Sequence, residues 1–147
     1  MNLKELRLGN WVNYDGDPCQ ITSHSFFGLQ FSTIGLSPIP VTPEVLISCG
    51  FTKEADGHEY RIALPLGNGT DLCIETLQES AGPYDAVITD RAPDKKPHCY
   101  SYLKQQRWLH QLQNLYYSLT GEELPYNSPN GTERTNAVCL RIHQHAR

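Results

Sequence analysis

The chain lacks any long apolar run and any excess of positive charge, and each absence excludes a class of function. It has 147 residues, with 12 lysines and arginines against 16 aspartates and glutamates, so its formal net charge is -4 at pH 7. Binding duplex DNA through the overall field needs a basic surface, so this partner is not expected. No apolar run is long enough to span a bilayer, and the opening MNLKELRLGN has no apolar signal core. We therefore expect a cytoplasmic protein without a membrane partner.

The sequence also lacks a framework for disulfide bonds or for a metal site. Its cysteines are odd in number, widely scattered and never arranged as CxxC, whereas a secreted disulfide framework usually has an even count. Its histidines form no HExxH motif, so neither a metal nor another cofactor is expected. All the cysteines are therefore predicted to be free thiols. They are Cys19, Cys49, Cys73, Cys99 and Cys139.

Motifs for catalysis are lacking as well. Gly67-Asn68-Gly69 has neither the lysine nor the strand–loop–helix context of a phosphate loop, so it predicts a hairpin turn. Cys99 follows His98, but no third group is in place to orient such a pair for nucleophilic catalysis. We predict no catalytic residue.

What the sequence does contain predicts an α+β fold that begins with a small SH3-like or curled β-sheet. Trp11 to Tyr14 reads as a strand, Asp15 to Pro18 as a turn, and Cys19 to Ser23 as the returning strand. Phe26 to Phe31 suggests a third strand. Several short strands joined by tight turns are typical of small barrels and curled sheets.

The middle of the chain predicts a short helix and then a β-meander. Thr42 can cap the helix, Pro43 suits its first turn, and Gly50 ends it. Apolar residues alternate between residues 58 and 90, with glycine-rich turns between them. The short helix and one long helix are expected to pack on the sheet. One α+β domain is expected over residues 1–126, and residues 127–147 are expected to form a C-terminal tail to which Ala137 to Ile142 could add a strand.

The long helix is predicted to follow from about Ser101 or Tyr102, and to be continuous from Trp108 to Leu119. Its apolar residues recur at helical spacing, so they form a stripe that must pack on another element. Gly121 is placed to end the helix in a left-handed turn. The stripe consists of Trp108, Leu109, Leu112, Leu115, Tyr116 and Leu119.

A second row, of polar side chains, recurs at steps of three and four residues on the same helix. Its amides and imidazole can exchange hydrogen bonds with a ligand, and the guanidinium of Arg107 can take a phosphate through two of them. Tyr117 or Trp11 would stack on a base. The row could instead be a solvated face, or it could brace a loop. It consists of Arg107, His110, Gln111, Asn114 and Ser118.

Three segments of the chain resemble a family of small proteins from Bacteroidota phages, prophages and conjugative elements. They are Leu6 to Val12 (LRLGNWV), Ile39 to Leu46 with Cys49-Gly50-Phe51, and His110 to Leu124 (HQLQNLYYSLTGEEL). The family has no assigned activity, so the resemblance implies provenance: a cytosolic accessory protein of a mobile element. Small non-enzymatic phage proteins often block host defence, and one class captures nucleotide second messengers.

We therefore expect a non-enzymatic protein that sequesters a small anionic, nucleotide-like ligand, for which a homo-oligomer interface could form the site. One alternative is a protein-interaction or nucleic-acid accessory module that docks through the small sheet. Another is a hydrolase in which His110 acts with Glu122 or Glu123. The predicted ligand-binding residues are Arg107, His110, Gln111, Asn114, Tyr117 and Trp11.

Overall fold

The computed structural model describes residues 2–23, 25, 35–53, 61–67, 69–75, 84–90, 99–103 and 105–128. The chain divides into two compact units. Unit 1 comprises Met1–Pro40 and Trp108–Arg147, and unit 2, Val41–Arg107, lies between these segments in the sequence. The predicted α+β class is confirmed, and the prediction of one domain over residues 1–126 stays a prediction.

The described residues include two antiparallel sheets and the two α-helices named below, preceded by a 3₁₀ turn. The 3₁₀ turn is Leu3–Glu5. The helices are α1 (Pro43–Ser48) and α2 (Leu109–Thr120). The strands are β1 (Trp11–Tyr14), β2 (Asp17–Gln20), β3 (Leu36–Ser37), β4 (Thr52–Lys53), β5 (Arg61–Pro65), β6 (Thr70–Glu75), β7 (Asp85–Asp90) and β8 (Cys99–Tyr102).

The sheet of unit 1 is small and open, with the strand order β2-β1-β3. Its first hairpin turns on Asp15 and Gly16 alone, whose φ angles of 51° and 90° suit a two-residue turn. The return strand therefore begins at Asp17, two residues earlier than predicted. The predicted strand from Phe26 to Phe31 lies outside the described residues.

The core of unit 1 contains apolar side chains from the sheet and from the residues before and after its first hairpin. Leu6, Val12, Cys19 and Ile21 are buried together, and two half-buried side chains of the sheet pack against them. Helix α2 packs against β1, because the Trp11 backbone N–H donates to Gln113 Oε1 at 2.8 Å. The polar groups of α2 are thus held against the first strand of the chain.

Helix α2 ends as predicted, but its start and its buried face differ from the prediction. The φ of Gly121 is 75°, and its N–H bonds to the Tyr117 carbonyl at 2.8 Å. Trp108 is extended and bridges to Pro40, so the helix begins one residue later than expected. Leu119, predicted to pack on the sheet, is 42% exposed. The buried side chains are Leu109, His110, Leu112 and Gln113.

The predicted meander is confirmed in unit 2, where the strand order is β4-β5-β6-β7-β8. Strand β6 is central, and four successive residues on it are buried, which a strand covered on both faces requires. Ser101 and Tyr102 lie in β8, which pairs with β7. The prediction that the long helix starts there is therefore wrong, because backbone pairing with β7 outweighs local helix propensity.

Helix α1 has the predicted start and stop. The Thr42 side chain accepts the Val45 N–H at 3.3 Å, and Pro43 is the first helical residue. Gly50 has a φ of 91°, and the Phe51 N–H bonds back to the Leu46 carbonyl at 3.1 Å. This pairing closes the helix end as a Schellman motif.

The cysteines whose side chains the structure describes are buried thiols that form no disulfide bond, as predicted: Cys19, Cys49 and Cys73. Burial raises the pKa of the Cys49 thiol to about 12. The Cys99 side chain and Cys139 lie outside the description. Within the described ranges, no helix is long and apolar enough to cross a membrane.

Candidate functional site

In unit 1, the arginine that contacts the polar row of α2 is Arg7, from the segment before β1. Its Nε donates to Asn114 Oδ1 at 2.8 Å, and its Nη2 donates to Glu123 Oε2 at 2.9 Å. Nη1 completes a two-point contact with the same carboxylate. The guanidinium carbon lies 4.2 Å from the centre of the Tyr117 ring, in a cation–π contact. Arg7 therefore clamps the helix to the segments before β1 and after α2.

Asn114 lies at the centre of this network, which we call the Arg7 clasp (Arg7, Asn10, Asn114 and Glu123). Its side-chain oxygen accepts from Arg7 and from Asn10 Nδ2, the latter at 3.0 Å. Its amide nitrogen donates to the Glu5 carbonyl at 2.6 Å. Both lone pairs of the oxygen and one amide hydrogen are thus used within the chain. This arrangement is that of a bracing residue.

Asn10 and Gln113 fix the backbone around the clasp. Asn10 is fully buried, and its Oδ1 accepts the Arg7 backbone N–H at 2.9 Å. Gln113 is also fully buried, and its Oε1 accepts the Trp11 N–H. Gln113 Nε2 finds no hydrogen-bond partner among the described residues. The oxygen of the Gln113 side-chain amide therefore has a hydrogen-bond partner, whereas its nitrogen has none among the described residues.

His110 is buried beside a carboxylate that does not reach it. Its side chain is 1% exposed, and neither ring nitrogen has a hydrogen-bond partner within the part of the chain that the structure describes. Glu5 Oε2 lies 3.7 Å from Nε2. Burial lowers the pKa of His110, and the nearby Glu5 carboxylate opposes that shift only in part. The resting imidazole is therefore the neutral form at neutral pH.

Gln111 holds the same carboxylate from the outer side of the helix. Its Nε2 donates to Glu5 Oε2 at 3.1 Å. This hydrogen bond is the main cause that lowers the pKa of Glu5, with a smaller contribution from His110. The predicted anion-binding groups His110 and Gln111 therefore both lie near one carboxylate of the chain, that of Glu5.

The aromatic residues predicted to stack on a base are both in unit 1. Tyr117 is 44% exposed, and the Arg7 guanidinium lies over its ring. Trp11 is half-buried, and its ring meets Tyr126 edge to face at 5.2 Å between centroids. Tyr117 keeps substantial area in water, whereas Trp11 is a packing residue at the start of the central strand β1.

The remaining members of the predicted row have other surroundings. Arg107 belongs to unit 2, where its side chain is exposed and its carbonyl accepts the Val41 N–H at 2.9 Å. Ser118 Oγ donates to the Asn114 carbonyl within α2 at 2.7 Å. Glu123, an acid suggested for a hydrolase with His110, pairs with Arg7. The carboxylate that neighbours His110 is that of Glu5.

Sequence reasoning missed Glu5, Arg7, Asn10 and Gln113. Three of them had an available signal: Arg7 and Asn10 lie in the LRLGNWV string, and Gln113 lies in the helix string. The structure shows these two strings in direct contact through Arg7, Asn10 and Asn114. Two sequence motifs that occur together in a family are expected to pack together, and that expectation would have predicted the contact between Arg7, Asn10 and Asn114.

Among the described residues, no group of three or more histidine, cysteine, aspartate or glutamate side chains could hold a metal ion. Comparisons with protein-family models, with curated proteins and with solved structures found no match to this chain.

Proposed function

We propose that this chain is a non-enzymatic binding protein, which sequesters a small anionic, nucleotide-like ligand on the face of α2 that carries His110 and Gln111. The ligand's anionic group would accept hydrogen bonds from these two side chains. Tyr117, which keeps part of its ring in water, would contact the base. Asn114 and Arg7 would hold this surface in place.

The observation that carries the proposal is that three buried polar atoms on α2 have no hydrogen-bond partner in the part of the chain that the structure describes. Both ring nitrogens of His110 and Nε2 of Gln113 make no hydrogen bond among the described residues. Native proteins pair nearly all such atoms, and each unpaired one costs about 1–3 kcal/mol. Two such side chains, one turn apart on one helix, are explained if a bound molecule completes their hydrogen bonds.

The resemblance to small proteins of Bacteroidota phages and mobile elements supports sequestration as the use of such binding. In a host cytoplasm, capture of a nucleotide signal would counter a defence that depends on it. The hydrolase alternative has less support in the structure, because Glu5 is drawn to Gln111 and lies beyond hydrogen-bond distance of His110. The clasp also occupies Glu123.

The test is to identify what the full chain retains when it is purified from cells that make nucleotide signals. Small molecules released by denaturation would be measured by mass spectrometry for wild type, Gln111→Ala and Ser118→Ala. We expect wild type and Ser118→Ala to release the same anionic compound, and Gln111→Ala to release much less. Melting temperatures of all three would establish that Gln111→Ala is folded.

Three results would contradict the proposal. Equal retention by Gln111→Ala and wild type would place the ligand away from this face. Conversion of the retained compound to a product during incubation would favour the hydrolase. An interaction module without a small ligand would release nothing from any of the three proteins.

A further inference from the structure

The carboxylate of Glu5 occupies the position where the proposed ligand's anionic group would bind. One of its oxygens accepts from Gln111 Nε2 at 3.1 Å and lies 3.7 Å from His110 Nε2. Hydrogen-bond donors that hold a carboxylate of the chain suit a carboxylate or phosphate of similar size from solution.

Glu5 fills this position incompletely. A distance of 3.7 Å is too long for a hydrogen bond to His110, so both ring nitrogens stay unpaired among the described residues. Gln113 Nε2, buried one turn further along α2, is also unpaired there. A tetrahedral anion has more oxygens than a carboxylate and can meet more donors at once.

The Glu5 side chain can leave without unfolding the segment that carries it. Its side chain is 41% exposed, and its 3₁₀ turn buries no residue. The backbone of the same residue is held separately, because Asn114 Nδ2 donates to the Glu5 carbonyl at 2.6 Å. Rotation about the side-chain bonds would move the carboxylate into water and leave the turn in place.

We propose that Glu5 is a built-in competitor, whose carboxylate covers the donors of His110 and Gln111 until a phosphate-bearing ligand displaces it. This inference rests on the proposed function. It adds that the anionic group of the ligand is a phosphate, and that the Glu5 carboxylate covers the donors when no ligand is bound. A site that is open only part of the time binds with an affinity reduced by the open fraction. Removing the competitor should therefore strengthen binding.

The test compares Glu5→Gln with wild type and with Glu122→Gln, which makes the same charge change at an exposed carboxylate. Each full-length protein would be titrated with inorganic phosphate and with adenosine monophosphate, and the His110 imidazole signals would be followed by NMR. We expect Glu5→Gln to bind roughly tenfold more tightly, the gain for a site open a tenth of the time. Glu122→Gln should bind as wild type does.

The combination with Gln111→Ala separates failure of this inference from failure of the proposed function. If wild type and Glu5→Gln bind phosphate equally, and Gln111→Ala weakens both, the binding face stands and the competitor is overturned. Weaker binding by Glu5→Gln would also overturn it, because Glu5 would then be supporting the site. If no protein binds either probe, the anionic ligand and the competitor are both overturned.

Discussion

At the scale of single residues, the stability of unit 1 depends on which side chains of α2 are removed from water. Leu109 and Leu112 are fully buried, and so are the polar His110 and Gln113. Leu119 and Tyr117, on the exposed side, keep 42% and 44% of their surfaces in water. The buried face of the helix is thus set by the contact with β1 and the N-terminal segment, and hydrophobicity alone does not define it.

This difference predicts unequal effects of two leucine substitutions on the same helix. Leu112→Ala should lower the free energy of unfolding by roughly 2–5 kcal/mol, since it leaves a cavity in a packed core. Leu119→Ala should change it by less than about 0.5 kcal/mol, because Leu119 is already 42% exposed in the folded protein. Urea unfolding of both variants measures this. Similar losses in the two would show that the buried face has been assigned wrongly.

His110 predicts a pH dependence of stability with a definite sign. Burial lowers its pKa in the folded protein below the ordinary value of 6.5, so the unfolded chain binds the proton more readily. Above about pH 6.5 His110 is neutral in both states and folding carries no penalty from it. As the pH falls from 6.5 through the lowered pKa, the unfolded chain takes up the proton first, so the free energy of unfolding decreases. The lowered pKa of Glu5 acts in the same direction only below its ordinary value of 4.5.

The measurement is the free energy of unfolding between pH 7 and pH 5 for wild type and His110→Gln. We expect wild type to lose more stability than the variant over this interval, because the variant has no titrating group at that position. The other histidines are common to both proteins, so their effects cancel in the difference. Parallel pH profiles would mean that His110 does not titrate differently on folding.

At the scale of elements, the Arg7 clasp joins three segments of the chain that do not share a helix or a strand pair. Arg7 precedes β1, Asn114 lies in α2, and Glu123 follows α2. The ion pair between Arg7 and Glu123 is partly exposed, so by itself it contributes little to stability. The hydrogen bonds from Arg7 and Asn10 to Asn114 Oδ1 are partly buried and are expected to contribute more.

Asn114→Ala should therefore destabilise the protein by about 1–3 kcal/mol, since it removes partners of Arg7, Asn10 and the Glu5 carbonyl together. Ser118→Ala, one turn further along the same helix, is the matched control and should cost less than about 0.5 kcal/mol. Thermal and urea unfolding of the two variants give the comparison. Equal stabilities would show that the row is solvated and braces nothing.

Arg7→Lys tests whether the shape of the guanidinium matters to the clasp beyond its charge. Lysine keeps the charge but cannot donate to Asn114 and to both Glu123 oxygens in one plane. We expect a loss of about 1–2 kcal/mol, and little further loss when Glu123→Gln is added. If Arg7→Lys were as stable as wild type, charge alone would account for the contact.

At the scale of the whole molecule, the chain contains two compact units, and unit 2 is continuous in sequence. Each unit contains an antiparallel sheet, and α2 belongs to unit 1 whereas α1 belongs to unit 2. Buried cysteines that form no disulfide bond occur in both units, Cys19 in unit 1 and Cys49 and Cys73 in unit 2. Because these cysteines are buried in the folded protein, the access of an oxidant to their thiols depends on folding.

We expect five reactive thiols per chain in denatured, unreduced protein. In the native protein, Cys19, Cys49 and Cys73 should react slowly, since they are buried, and the Cys49 thiol also has a raised pKa. Thiol titration with and without denaturant gives both numbers. A count of three or one after denaturation would reveal disulfide bonds and contradict the prediction.

The sequence by itself determined the parts of the fold that depend on neighbouring residues. Asp15-Gly16, Thr42-Pro43 and Gly121 set a hairpin, a helix start and a helix end, because φ preferences and hydrogen bonds within a few residues decide these features. The α+β class and the meander followed from periodicity. Of the site, His110, Gln111 and Asn114 could be assigned to one helix face.

Only the tertiary structure decided what that face contacts. The Arg7–Glu123 pair joins residues 116 positions apart, and no local pattern specifies such a partner. The same reason explains why β8 forms where a helix start was predicted, and why Arg107 belongs to unit 2 while Arg7 lies at the helix. Burial of His110 and Gln113 likewise depends on Glu5 and Trp11, which distant chain segments bring to α2.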